Sequence, residues 1–418
     1  MERIWRYALA SAGPIASAGA QFLLSLALLR LLPPRDFGSF SFLLVTAQLM
    51  LGIWSALFCA PLLIAMTHRL IQDREATKAA ILSVNLLAAF MVAIPIAAIG
   101  LAMKLPIGAA AMFALYTSTT LVRWVGRTDA FARGLPVKAM ASDIAYAVAL
   151  LLGIAIITIS KQVSIGASFA ILLVSALIGL LPLGRRYLSA QFAHWRWPDF
   201  SAYRETWRQH ASWSLLGVVT TEITANSQVY LVTAIFGPAA FAPIAATALL
   251  IRPCSVAVNA LSEYERAQMA RSIGEDNAAG AHRSLIGFRW MLGIVWVATA
   301  LATAALLIFA PRLLFPAHYS LQTLIVGASL WLLVAAVRFA RAPESSLLQA
   351  GGAFRPLAFA SVYSCVFSIL GVLILLLAFG PLWSILGTLL GEIVFAAWTW
   401  REARRWVHGQ SKLRQSIA

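Results

Sequence analysis

The residues with the clearest capacity for chemistry lie in a short polar run inside an apolar segment. Residues 220–228 read TTEITANSQ, which places seven polar side chains in nine positions. Each of these side chains is costly to place against lipid without a hydrogen-bond partner. Two interpretations stay open. The run lines a hydrated cavity on a substrate pathway, or its hydroxyl and amide groups hold neighbouring helices together.

Glu222 is the acidic residue of this run, and Asn226 follows it on the same face of a helix, four residues later. An ionised carboxylate in apolar surroundings needs water, a cation or a proton close by. Glu222 is therefore a candidate site for a coupling ion or a proton, with a structural salt bridge as the alternative. Asn226 and Gln228 are further candidates for the substrate pathway.

Arg252 lies within the next apolar segment and directly precedes the helix breaker Pro253. A guanidinium group is well shaped to bind phosphate or another anion, because its planar donors match the oxygens in pairs. The alternative is that the side chain extends along the helix to place its charge at the membrane surface.

The first apolar segment carries a less pronounced polar stripe. Ser17, Gln21 and Ser25 recur every four residues and therefore share one helix face. This stripe either lines the same cavity as the 220–228 run or marks close packing through small residues. Gln21, the longest of the three side chains, joins the candidate substrate pathway.

Two further acidic residues lie within apolar segments. Glu392 stands beside Gly387 and Gly391, whose G-x-x-x-G spacing favours close helix packing, so we expect a structural role for Glu392. Asp143 lies about one turn inside its segment, and we expect it to reach the membrane surface.

The motifs that mark enzymes are missing from the sequence. It has no P-loop, no paired carboxylates with a nearby histidine and no nucleophile elbow. The three cysteines lie in apolar runs without metal-ligand spacing, and the six histidines are scattered singly. We expect no catalytic residues, no cofactor and no bound metal.

The elements that position these residues follow from composition. Hydrophobic residues make up 61% of the chain and charged residues 11%, with a mean hydropathy of +0.82, so the solvent for most of the surface is lipid. A membrane-spanning helix needs about 20 mostly apolar residues. About twelve stretches qualify: 8–31, 39–65, 79–103, 105–125, 138–160, 164–183, 211–236, 240–262, 286–310, 320–341, 357–380 and 381–400.

The net charge of +16 does not indicate nucleic-acid binding, because the basic residues form no continuous face and lie in short gaps between apolar runs. Alternate gaps differ sharply in charge. Only five of the 32 basic residues fall on one side of the predicted membrane, namely Arg30, Arg35, Lys104, Lys161 and Arg312. The positive-inside rule then predicts that both termini are cytoplasmic.

The segments divide into two halves. We predict an all-α membrane protein with an N-terminal six-helix lobe over 1–183, a linker over 184–210, a C-terminal six-helix lobe over 211–400 and a basic cytoplasmic tail over 401–418. The linker carries five arginines, and three tryptophans and a tyrosine lie among them, which suits a segment in the cytoplasmic interface: Trp195, Trp197, Tyr203 and Trp207.

The two halves repeat one turn. Residues 32–38 read LPPRDFG between the first two segments, and residues 236–242 read FGPAAFA between the seventh and eighth. Pro34 and Phe37 align with Pro238 and Phe241. Internal repeats of this kind are common in transporters, whose substrate sites lie where the repeats meet.

The stretch LLRLLPPRDFGSF, residues 28–40, resembles the helix 1–2 signature of bacterial polysaccharide-biosynthesis and O-antigen-type flippases. Pro33 replaces a glycine that is usual there. The turn GPAAF at 237–241 resembles the second-half version of the signature, with Ala242 in place of the usual glycine. The resemblance implies the multidrug/oligosaccharidyl-lipid/polysaccharide (MOP) superfamily, with a MATE-like fold of two pseudo-symmetric lobes around a central cavity. It also implies an inner-membrane protein that flips undecaprenyl-pyrophosphate-linked sugars by alternating access.

The implied substrate is a precursor of lipopolysaccharide, exopolysaccharide or a related polymer, and other polysaccharide-assembly proteins are conceivable partners beside membrane lipids. Arg252 and Arg30 would meet the pyrophosphate. The alternative within the same fold is a cation-coupled multidrug exporter. Such exporters usually carry an acidic residue in the first helix, and segment 8–31 has none. A membrane-embedded polymerase or glycosyltransferase is disfavoured because the loops on the outer side are short, and the polar 220–228 run argues against a purely structural subunit.

Overall fold

The computed structural model describes residues 2–67, 72–193, 203–204, 207, 212–275 and 277–417. Every regular element in these residues is a helix. Ten of these helices are long and apolar enough to cross a membrane. The protein is therefore an all-α membrane protein, as the composition predicts.

The chain divides into two compact units, Met1–Val219 and Thr220–Ala418. In the part of the chain that the structure describes, these helices precede the division: α1 (Glu2–Leu31), α2 (Pro34–Trp54), α3 (Ala60–Thr67), α4 (Gln72–Ala102), α5 (Ile107–Ala132), α6 (Pro136–Ile159), α7 (Ile165–Leu180) and α8 (Arg185–Ala193). One turn of π-helix, Ser55–Cys59, joins α2 to α3, so that the second predicted segment is a single spanning element.

The division falls inside α9 (Ser212–Phe236), which is followed by the helices of the second unit. These are α10 (Pro238–Ala248), α11 (Arg252–Gly274), α12 (Ala278–Phe309), α13 (Pro311–Leu314), α14 (Leu321–Ala350), α15 (Phe354–Phe379) and α16 (Ile385–Ile417). The predicted tail over 401–418 continues α16 as helix through Ile417.

Two predicted segments form long helices without being among the ten apolar spans. They are α5, with 26 residues, and α9, with 25 residues. Both helices contain polar residues that lower their mean hydropathy. These are residues 116–120 and Arg123 in α5, and the 220–228 run in α9. The sequence pattern located these helices, but they carry far more polar surface than a helix that faces lipid.

The segment predicted as one helix over 240–262 is interrupted. It consists of α10, a 3-10 turn at Leu249–Ile251, and α11, which extends to Gly274. Pro253 lies at the start of α11, where a missing backbone N–H costs little, and it explains why the helix begins again at this point.

The repeated turn has the same local design in both units. Pro33 caps α2 and Gly237 caps α10, and each is followed by a proline in the first turn of the helix. Gly237 has φ 82°, a conformation that favours glycine, whereas Pro33 has φ −59°. Phe37 and Phe241 are both buried. The predicted correspondence between these two turns is confirmed, with two different backbone solutions at the cap.

In the first unit, α8 packs against α4 and α5 after the chain leaves α7. The Tyr187 hydroxyl donates to the Val122 carbonyl at 2.7 Å, and Asn85 Nδ2 donates to Gln191 Oε1 at 3.0 Å. Burial, followed by the charge of Asp129, raises the pKa of Tyr187 well above its ordinary value, so that the phenol stays a donor. Gln191 and Tyr187 are buried, and α8 therefore covers the seam between α4 and α5.

The predicted interfacial linker is described only in part. Trp195, Trp197 and most of residues 194–211 lie outside the described residues. Tyr203 donates its hydroxyl to the Leu57 carbonyl at 2.7 Å and stacks on Phe58, while Trp207 is exposed. The division of the linker from the two lobes at 184 and 210 stays a prediction.

Close packing at the G-x-x-x-G spacing is confirmed. An added Cβ at Gly387 would overlap the Val372 backbone, and one at Gly391 would lie 2.6 Å from Ser368 Cβ. Both contacts join α16 to α15, so glycine is required for the distance between these helices.

Candidate functional site

The polar run of α9 separates into two faces. Thr224, Ser227 and Gln228 are buried, whereas Thr221 is exposed and Glu222 and Asn226 are half-buried. The two interpretations of this run therefore apply to different residues within it.

The buried face makes hydrogen bonds to α15 and α16. The Ser227 and Ser368 hydroxyls lie 2.8 Å apart, and the Thr388 hydroxyl donates to Gln228 Oε1 at 2.7 Å. The Ser368 hydroxyl also donates to the Thr224 carbonyl at 3.0 Å. In the structure Gln228 is thus a helix contact rather than an open pathway residue.

The less buried face holds Glu222 and Asn226. Asn226 Nδ2 donates to Glu222 Oε2 at 3.1 Å, as the four-residue spacing predicts. Arg338 of α14 also acts on Glu222 electrostatically. Glu222 therefore has both a neutral partner and a nearby cation.

Arg338 belongs to a second group, which we call the Glu392 cluster: Glu392 of α16 with Arg338 and Arg341 of α14. The Nε atoms of the two arginines donate to different carboxylate oxygens, at 2.6 Å from Arg338 and 2.7 Å from Arg341. Glu392 is 1% exposed, whereas the arginine side chains keep 28% and 17% of their surface. The expected structural role for Glu392 fits this pairing, because a buried carboxylate requires such partners.

The first unit contains a matching group, which we call the Asp143 cluster: Asp143 of α6 with Arg123 and Arg127 of α5. Arg123 Nη1 lies 3.2 Å from Asp143 Oδ1, and Arg127 Nη2 lies 2.8 Å from Asp143 Oδ2. All three side chains are at least nine-tenths buried. The expectation that Asp143 reaches the membrane surface is wrong, because the two guanidinium groups hold it inside the unit.

Aromatic rings complete both clusters. The Arg123 guanidinium lies 4.4 Å from the Tyr146 ring centre, and the Arg127 guanidinium lies 4.4 Å from that of Trp124. Arg341 stands 4.2 Å from the Phe395 ring centre. Such contacts stabilise a cation that is removed from water.

The two clusters share the placement of their arginines. These lie at closely matching positions along α5 and α14, the fourth spanning element of each half, one helical turn apart in both. The carboxylates do not correspond, because Asp143 lies on α6, the fifth spanning element of the first half, and Glu392 lies on α16, the sixth of the second. The Asp143 cluster joins two guanidinium groups to one carboxylate and so carries one unbalanced positive charge, whereas Arg338 of the Glu392 cluster also acts on Glu222.

The polar stripe of α1 contacts the Asp143 cluster. Gln21 Nε2 donates to the Tyr146 hydroxyl at 3.0 Å and to the Tyr116 hydroxyl at 3.3 Å, and the Ser17 hydroxyl donates to the Asp143 carbonyl at 3.2 Å. An added Cβ at Gly13 would lie 2.8 Å from Asp143 Oδ2. Small residues thus allow α1 to approach α6 closely.

Gln21 also lines a cavity of about 20 Å³ beside Gln48, Tyr116 and Thr120. That volume is enough for about one water molecule. Thr120 Oγ1 is buried without a hydrogen-bond partner and is a natural contact for such a water. The stripe therefore combines close packing with a small polar cavity.

The two arginines singled out for anion binding lie elsewhere. Arg252 is the first residue of α11 and is half-buried, and Arg30 is exposed in the last turn of α1. Neither belongs to the Asp143 or Glu392 cluster.

Sequence reasoning missed the four clustered arginines, because each was counted among the basic residues at helix ends. A signal was present: Arg123 and Arg127, and Arg338 and Arg341, recur one helical turn apart, and another apolar segment of the same half carries an acidic residue, Asp143 in the first half and Glu392 in the second. Among the described residues no group of three metal-ligating side chains is found.

Solved structures of membrane transporters share this arrangement of helices. An inward-facing multidrug resistance MATE family transporter of the MOP superfamily superposes with a TM-score of 0.69 at 13% identity, over 96% of both chains. The chain has a MATE-type fold. A MOP superfamily transporter from Pyrococcus furiosus gives 0.63 at 15% identity, over 96% of this chain and 95% of that one.

A eukaryotic MATE transporter superposes on this MATE-type fold with a TM-score of 0.61 at 14% identity, over 97% of this chain and 99% of the other. No protein-family model and no curated protein sequence matches the chain. At these identities the likeness establishes the fold of the whole chain and leaves its substrate open.

Proposed function

We propose that this protein is a transporter of the bacterial inner membrane that flips an undecaprenyl-pyrophosphate-linked oligosaccharide, or a related polysaccharide precursor, by alternating access. Both termini lie in the cytoplasm in this proposal. The partners are the lipid-linked substrate and the surrounding membrane lipids, with other polysaccharide-assembly proteins as further candidates.

The observation that carries the proposal is the excess of buried arginine over carboxylate. In the Asp143 cluster, Arg123 and Arg127 face one acidic group, and none of the three side chains is more than 8% exposed. Burying an unbalanced charge is costly unless an opposite charge comes close. An interior with surplus guanidinium groups therefore suits a substrate that brings negative charge, and guanidinium matches phosphate in geometry as well as in sign.

The same clusters argue against simple cation coupling. A carboxylate that binds Na⁺ or a proton during transport must be free of other cations at some stage of the cycle. Asp143 and Glu392 each contact two arginines, and separating a buried ion pair costs about 3–5 kcal/mol. Helix α1 also contains no acidic residue after Glu2.

A cation-coupled multidrug exporter is the second candidate, and two observations favour it. The structural neighbours include a multidrug resistance transporter. Glu222 keeps part of its surface exposed, and it accepts a hydrogen bond from the neutral amide of Asn226, which leaves it able to take up a proton. The two candidates differ in the substrate and in what Glu222 does.

The test is reconstitution into liposomes with a fluorescent undecaprenyl-pyrophosphate sugar, with the label scored as protected or accessible to a quencher. The wild type should move the label between leaflets. Arg252→Ala and Glu222→Gln test the candidate pathway, with the exposed Arg401→Gln and the surface residue Glu402→Gln as matched controls.

Loss of flipping in either pathway variant, with both controls active and all proteins folded, supports the proposal and assigns that residue to the pathway. Absence of flipping by the wild type, together with efflux of a cationic dye driven by a proton or sodium gradient, contradicts it and favours the drug exporter.

A further inference from the structure

A cavity in the second unit is lined by residues outside both arginine clusters. Its volume is about 690 Å³, and it opens between α12, α14 and α16. Six residues give the cavity its chemical character: Arg289, Trp296, Phe339, Glu344, Trp400 and Arg404.

The cavity has a charged end and an apolar end. Arg289 of α12 forms an ion pair with Glu344 of α14, while Trp296, two turns farther along α12, donates its indole N–H to the Leu332 carbonyl at 2.9 Å. These two contacts show that α12 and α14 run antiparallel. The charged groups therefore meet at one end, and leucine, phenylalanine and tryptophan side chains line the space beyond them.

The corresponding seam of the first unit is closed by protein. There α8 covers α4 and α5 through Tyr187 and Gln191, both buried. In the second unit the chain does not turn back as a separate helix over this seam, because α16 continues as one helix from Ile385 to Ile417. The second unit therefore has an open groove at the position that α8 covers in the first unit.

The charged end has unmet bonding capacity. Arg404 is exposed, and no hydrogen bond or ion pair joins it to another of the side chains that the structure describes, which near it end at Trp406. Glu344 is 5% exposed, and its Oε1 accepts from Arg289, but its Oε2 is buried without a hydrogen-bond partner. A buried carboxylate oxygen without a donor destabilises the folded state, because it has lost its water and gained no replacement.

A ligand that fits this groove needs two parts: a negative group for the guanidinium donors and a hydrocarbon chain for the apolar wall. Two arginines against one glutamate leave one positive charge, which a single phosphodiester balances. Basic pockets between membrane helices bind anionic lipid head groups in this way. Tryptophan at such a site places an apolar ring and a polar N–H where lipid meets water.

We propose that this groove binds one phosphatidylglycerol molecule, with its phosphate on Arg289 and Arg404 and an acyl chain along Leu292, Gly293 and Trp296. The site is independent of the transported substrate. It makes the second unit responsive to the anionic lipid content of the membrane.

The test measures lipid retention by native mass spectrometry and thermal unfolding of the purified full chain in detergent. Added phosphatidylglycerol should bind and raise the midpoint of unfolding, and phosphatidylcholine should do so far less. Arg404→Gln should weaken phosphatidylglycerol binding by about tenfold or more, because it removes a charged hydrogen bond to phosphate. Arg401→Gln, on the same helix but outside the cavity, should bind like the wild type.

A second variant tests the apolar end without changing a charge. An added Cβ at Gly293 meets no atom within 4 Å, so Gly293→Leu can fold while its side chain fills the groove. It should displace the lipid as Arg404→Gln does. Equal retention of phosphatidylglycerol and phosphatidylcholine, or Arg404→Gln and Gly293→Leu proteins that both bind like Arg401→Gln, would overturn the proposal.

Discussion

At the scale of single residues, the buried carboxylates determine how charge is distributed inside each unit. Asp143 and Glu392 are each 1% exposed, and each contacts two arginines. Such groups remain ionised inside a membrane protein only because opposite charges and hydrogen bonds replace water. Their main structural effect is to fix α5 against α6 and α14 against α16.

Asp143→Asn should strongly destabilise the first unit. The change leaves Arg123 and Arg127 buried without their counter-charge, and breaking a buried pair in this way typically costs about 3–5 kcal/mol. The measurement is the thermal unfolding midpoint in detergent, followed with a thiol-reactive dye that reports the exposure of the buried cysteines.

The matched control is Glu402→Gln. Glu402 pairs with Arg405 on the surface of α16, where the Arg405 side chain is 58% exposed, and such pairs contribute at most about 1 kcal/mol. If Asp143→Asn and Glu402→Gln unfold at the same temperature, the Asp143 cluster does not stabilise the unit.

Substitutions of Glu222 and Gln228, which lie on the same helix, should have different effects on transport and on stability. Gln228→Leu leaves the buried Thr388 hydroxyl without its acceptor, so we expect a loss of about 1–3 kcal/mol in the free energy of unfolding. Glu222→Gln keeps an acceptor for Asn226 and should change transport more than stability. Thermal unfolding and liposome transport of both variants provide the check. A Glu222→Gln protein that unfolds earlier than Gln228→Leu would make Glu222 a structural residue.

At the scale of elements, polar and small residues determine which helices pack together. The hydrophobic effect gives little driving force for helix association in lipid. Hydroxyl pairs therefore hold α9 against α15, and glycines allow close packing of α15 and α16. For the same reason the polar side chains of α5 and α9, two long helices outside the ten apolar spans, need partners on neighbouring helices.

Gly387→Ala should weaken the contact between α15 and α16. The added Cβ would overlap the Val372 backbone, and overpacking of this kind costs about 1–3 kcal/mol. Gly287→Ala in α12 is the control, because a Cβ there meets nothing within 4 Å and alanine favours helix by about 1 kcal/mol. Unfolding midpoints should fall for the first and hold or rise for the second. Equal unfolding midpoints for the two variants would show that α15 and α16 can move apart without loss of stability.

At the scale of the whole molecule, the distribution of basic residues predicts the orientation in the membrane. Lys104 and Lys161 lie in turns on the sparsely charged side, while Glu275 and Arg401 lie on the other. All four side chains are exposed, and all three native cysteines are buried.

Single cysteines at these four positions should therefore label from opposite sides. We expect cysteine at position 104 or 161 to react with a membrane-impermeant maleimide in intact cells. Cysteine at position 275 or 401 should react only after permeabilisation, because the positive-inside rule places those positions in the cytoplasm. The reverse pattern would invert the predicted topology and contradict cytoplasmic termini.

The sequence by itself determined the class of the protein and the positions of its long helices. Apolar length, proline and the loop cations are local properties, so the segments, the turn at Pro34 and Pro238, and the close packing at Gly387 and Gly391 could all be predicted from the sequence. The observed helix bounds differ from the predicted ones where polar residues or Pro253 interrupt an apolar segment.

Only the tertiary structure decided which polar residues are partners. A helical sequence shows which residues share a face, but not which neighbouring helix that face contacts. Glu222 and Asn226 could be paired from their spacing because both lie on α9. The partners of Asp143, Glu392 and Gln228 lie on other helices, far away in sequence, so their roles depend on how the helices pack within each unit.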